Sequence, residues 1–64
     1  MTPSRRGNLV ARHIKPGTVT EKEARIIARV ISMEYETASD RVAFKDAFWT
    51  EYDATREAHR TFEG

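Results

Sequence analysis

No cysteine occurs among the 64 residues, so neither a disulfide framework nor a thiolate metal site can staple the fold. No uninterrupted apolar run exceeds three residues, the longest including Ile26–Ala28 and Ala47–Trp49, which excludes a membrane span of the helical kind. The basic N-terminus is not followed by an apolar stretch of secretory type, so a cytoplasmic protein is expected. Glycine is scarce, and its three copies are too scattered to form a phosphate-cradling loop. The two histidines, His13 and His59, lie far apart, and neither has a second histidine at helical spacing. No metal site and no cofactor are expected. The serines have no nucleophile-elbow context. Asp53 and Glu57 are spaced i, i+4, but Arg56 and Arg60 flank them in the manner of a solvated, salt-bridged face. The chain is also too short to build a pocket together with the shell that rigidifies it. A non-enzymatic protein is therefore expected.

What is present is charge and amphipathic pattern. Hydrophobic residues make up 39% and charged residues 33%, with a formal net charge of +1. The distribution is uneven. Residues 1–19 carry Arg5, Arg6, Arg12 and Lys15 and no acid, whereas residues 20–64 carry seven basic and ten acidic side chains. A basic N-terminal arm, 1–19, thus precedes a mildly acidic body, 20–64. Pro3, Ser4 and Gly7 point to an irregular start. Asn8–Lys15 fits a short strand or a turn and a half of helix, closed by Pro16-Gly17.

Thr20-Glu21-Lys22-Glu23 is a capping box, in which the threonine hydroxyl and the Glu23 carboxylate satisfy each other's backbone amides. After it, Ala24, Ile27, Ala28, Ile31 and Tyr35 mark one helical face, predicting a helix over 21–36. Thr37–Asp40 is the break, with Ser39 or Asp40 as cap. One unbroken helix is the alternative, because no glycine or proline enforces a stop. A second helix over 40–61 carries the stripe Phe44, Ala47, Phe48, Glu51, Tyr52, Thr55, Ala58 and Phe62. The expected fold is all-α, a helical hairpin of two antiparallel helices behind a partly ordered basic arm.

The first helix is apolar on more than one side. At 100° per residue, Ile26, Val30 and Met33 form a second ridge well round from Ile27 and Ile31. Something must cover it: the segment holding Leu9, Val10 and Ile14, a second copy of the chain, or a foreign partner. A homodimer is the first expectation, since two helices of this length seldom supply enough core. Trp49 also lies off its helix's stripe. Ile26, Val30, Met33 and Trp49 are accordingly the candidate partner-binding residues. The expected function is that of a small protein-binding module, an adaptor or inhibitor of a larger complex, a size class common among viral and mobile-element proteins. One alternative is a nucleic-acid-binding regulator using Arg5, Arg6, Arg12, Lys15, Arg25 and Arg29. Another is a small structural subunit of a larger assembly.

Overall fold

A computed structural model of the chain describes residues 1–14 and 19–63, with side chains as far as Glu57. Among the described residues three helices follow one another: α1 (Pro3–His13), α2 (Glu21–Ser32) and α3 (Ala38–Glu63). The fold is all-helical, but with one helix more than the hairpin expected from the sequence. No helix among the described residues is long and apolar enough to cross a membrane.

The additional helix lies over the basic arm: it takes in residues expected to be irregular up to Gly7, and from Asn8 it follows the helical one of the two expectations, strand or a turn and a half of helix. Its start follows ordinary capping chemistry. Thr2 is extended and its Oγ1 accepts from the Arg5 amide at 3.2 Å, while Pro3 occupies the first helical position, where its missing N–H costs nothing. Arg12 and His13 in the last turn complement the negative end of the helix dipole. Gly7, read as a sign of irregularity, is helical and buried. It is there for proximity: a Cβ on Gly7 would lie 2.5 Å from the Phe44 carbonyl oxygen and 2.9 Å from the Phe48 amide nitrogen. Gly7 and Ala11 thus give α1 a flat side on which the α3 backbone rests.

The capping box of α2 is present as expected. Thr20 Oγ1 accepts from the Glu23 amide at 3.1 Å, and Glu23 Oε1 accepts from the Thr20 amide at 3.1 Å. The bond that the Thr20 amide donates to the Glu23 carboxylate, and then the one its hydroxyl donates to the same Oε1 at 3.0 Å, lower the Glu23 pKa below its ordinary 4.5. A carboxyl whose pKa is depressed on folding adds stability above its unfolded pKa and loses it as pH falls through the folded one. Thr20→Ala should therefore cost about 1 kcal/mol at neutral pH. Thermal melts well below pH 4.5 should show a smaller penalty. An equal penalty at both pH values would mean that the ionised carboxylate contributes nothing to the box.

α2 ends at Ser32, earlier than the expected Glu36. Ser32 Oγ donates back to the Arg29 carbonyl at 2.8 Å, a bond that tends to bend or end a helix. The Met33, Glu34 and Tyr35 amides then close tight turns onto Arg29, Ile31 and Ser32 carbonyls. Tyr35 leaves the helix and turns inward against Phe44, ring centroids 5.9 Å apart. The cap of α3 is Thr37, not Ser39 or Asp40: its Oγ1 accepts from the Asp40 amide at 3.2 Å and its carbonyl from the Arg41 amide at 3.2 Å. Arg41 Nε also donates to the Tyr35 carbonyl at 2.7 Å. These bonds supply the break that no glycine or proline imposes.

The core is a row of aromatics laid on small residues. Phe44, Phe48 and Tyr52 stack at i, i+4 along α3, with centroids 6.2 and 6.0 Å apart. Against them lie Ala11 from α1, Ile14 at its C-cap, and Ala24 and Ala28 from α2, with Ser32 buried beside them. The stripe read on α3 is the observed core face. Glu51, which interrupts it, lies where α1 crosses and accepts a 3.0 Å bond from Arg12 Nε. Ala58 and Phe62, the stripe's far end, lie outside the residues whose side chains are described. α1 packs chiefly on α3. Val10 and Ile14 go to the core and do not cover the outer ridge of α2.

Candidate docking face and groove

α2 sits between two environments. Ala24, Ala28 and Ser32 face the core, flanked by half-buried Ile27 and Ile31. On the opposite side of the helix, Ile26, Val30 and Met33 remain 54%, 59% and 67% exposed. The ridge read from the sequence is therefore real and open on this chain. Spaced i, i+4, i+7, its three side chains line up over about two helical turns, or about 10 Å.

Beside this ridge runs a line of cations. Lys22, Arg25 and Arg29 are spaced i, i+3, i+7 and centred about 70° round the helix from the ridge. All three are exposed. Past them, α2 and α3 enclose an open groove of about 440 Å³ lined by Glu21, Arg25, Ala28, Arg29, Lys45, Trp49 and Asp53. Lys45, Trp49 and Asp53 are themselves spaced i, i+4, i+8 and make one stripe of α3. Trp49 is half-buried and held edge-on by Phe48 and Tyr52, with centroids 5.1 and 5.5 Å away at 89° and 82°. Arg56 reaches Glu21 at 3.5 Å at the same helix–helix seam, so Glu21 pairs across helices and not with Arg25 along its own.

The structure therefore sorts the sequence's candidates into groups. Trp49, Arg25 and Arg29 share one groove, although the tryptophan and the arginines were singled out for different reasons. Ile26, Val30 and Met33 lie one step further round α2. Of the basic residues of the N-terminal segment, Arg6 and Arg12 are engaged elsewhere. Arg6 bonds Glu34 at 2.8 Å and lies 5.7 Å from the Tyr35 ring centroid. Hydrogen bonding to Tyr35, then to Glu34, raises the Arg6 pKa above its ordinary value. Arg12 is engaged with Glu51, Arg5 is exposed on α1, and Lys15 lies outside the described residues.

Lys45 was not singled out by sequence reasoning, and Asp53 only as a neighbour of Glu57, though their spacing around Trp49 was a usable signal. Among the described residues no group of three or more histidines or carboxylates is placed to hold a metal. The groove offers cations, two carboxylates and an indole, a set suited to recognition through charge and apolar contact. Comparison with family models, curated proteins and solved structures gives no match.

Proposed function

We propose that this protein is a small, non-enzymatic binding module, an adaptor or inhibitor that docks on another protein through the outer face of α2. One observation carries the reading: after three helices have closed a core, Ile26, Val30 and Met33 still stand more than half exposed on the side of α2 away from it. Fully burying a side chain of this size is worth roughly 1.5–3 kcal/mol relative to leaving it in water. Covering three aligned ones supplies a substantial part of a specific complex's binding energy.

Val30→Glu tests this. The variant should keep wild-type helicity and melt within about 0.5 kcal/mol of wild type, because Val30 supports nothing in the core. Partners retained by immobilised wild type in nuclease-treated lysate should be lost from the variant. A partner set unchanged by Val30→Glu would sink the proposal. Sedimentation of both proteins identifies the occupant: a wild-type dimer that becomes monomeric in the variant puts a second copy on the ridge.

A further inference from the structure

Resting on that reading, we infer that the segment docking on α2 is an acidic amphipathic helix of a different protein, its apolar stripe on Ile26, Val30 and Met33 and its carboxylates along Lys22, Arg25 and Arg29. A ridge spaced i, i+4, i+7 is the form one helix offers another, and flanking charges set partner choice and orientation. Here the flanks are unequal. The groove side carries Lys22, Arg25 and Arg29, with Lys45 beyond them on α3. Among the described residues these four cations make no ion pair. On the other flank lie Glu23, already bonded to Thr20, and apolar Ile27. Carboxylates one turn apart on a partner helix would match the repeat of the cation line.

The same arrangement disfavours two other occupants. A second copy laid antiparallel on the ridge keeps each flank beside its own kind, which brings Lys22 against Arg29 of its mate. Nucleic acid would meet an apolar ridge on one side of the cations and Glu21 and Asp53 on the other, where a phosphate track needs unbroken positive charge.

Trp49 is the chain's single tryptophan and borders the cation line, so its fluorescence reports occupancy without a label. The probes are capped helical peptides free of tryptophan and tyrosine, each with leucine on one face and flanks of glutamate, glutamine or lysine, plus a single-stranded oligouridylate. The glutamate peptide should bind about tenfold tighter than the glutamine one, with the gap shrinking as salt rises. The Arg25→Glu/Arg29→Glu protein, checked for unchanged helicity, should reverse the order in favour of lysine flanks. Val30→Glu should abolish peptide binding. Equal affinity for glutamate and glutamine peptides, lost in Val30→Glu, would overturn the acidic partner and leave the docking face standing. Peptide binding indifferent to Val30→Glu, or no peptide binding at all, would overturn the inference. Tight oligouridylate binding abolished by the arginine reversals would replace it with a nucleic-acid surface.

Discussion

Gly7→Ala should destabilise the protein, although alanine is the better helix former by about 1 kcal/mol. The new methyl would sit 2.5 Å from the Phe44 carbonyl oxygen, 2.9 Å from the Phe48 nitrogen and 3.1 Å from Ala47 Cβ. Two of these neighbours are backbone atoms of a helix and cannot rotate away. α1 must lift off α3, which also strips contacts from Ala11 and Ile14. Overpacking of this kind costs about 1–3 kcal/mol. For a chain of 64 residues, total stability on the scale of about 3–10 kcal/mol makes that a large fraction. Urea and thermal melts followed by circular dichroism should show a clear loss, on the order of 5–15 °C in midpoint. A Gly7→Ala protein that melts higher than wild type, as at an ordinary exposed helical glycine, would show that α1 and α3 do not approach this closely.

The second large effect is expected at Phe48. Its ring is fully buried, stacks between Phe44 and Tyr52, and meets Trp49 edge-on. The fully buried residues that α1 and α2 contribute to this core, Ala11, Ala24, Ala28 and Ser32, are small and cannot reach into the space a lost ring leaves. Phe48→Ala should cost about 3–5 kcal/mol, close to everything the domain has. Cooperative unfolding should disappear, and Trp49 emission should move toward that of solvated indole. Phe48→Leu should retain a cooperative melt at a cost of about 1–2 kcal/mol, which separates loss of volume from loss of the fold. Phe48→Ala with a wild-type melt would mean that the aromatic row is not the core.

These two positions also show how legible the fold was. The aromatic stripe of α3 and the capping box of α2 were plain in the residues, because each is a local pattern whose spacing states its own meaning. So was the outer ridge of α2. Gly7 was misread because glycine signals either a turn or a close contact, and only the partner decides which. Thr2-Pro3, a cap followed by proline at the first helical position, was the local clue that favoured a helix. The early stop at Ser32 rests on where Tyr35 finds Phe44 and Arg6, and no window along the chain contains that. The groove depended on placing Arg25 and Arg29 beside Trp49, a meeting between two helices that periodicity cannot announce. Lys45 and Asp53 belonged to a readable stripe, but it had no meaning until α2 lay across it.

The pairing of α1 with α3 has a consequence for biogenesis. Arg12 finds Glu51 39 residues away, and Gly7 rests on a stretch translated roughly forty residues after it. α1 has no seat until α3 has been made. α2, whose small side chains also wait for those aromatics, is in the same position. Local contacts alone therefore cannot complete the core, and folding has to wait for contacts that span most of the sequence between α1 and α3.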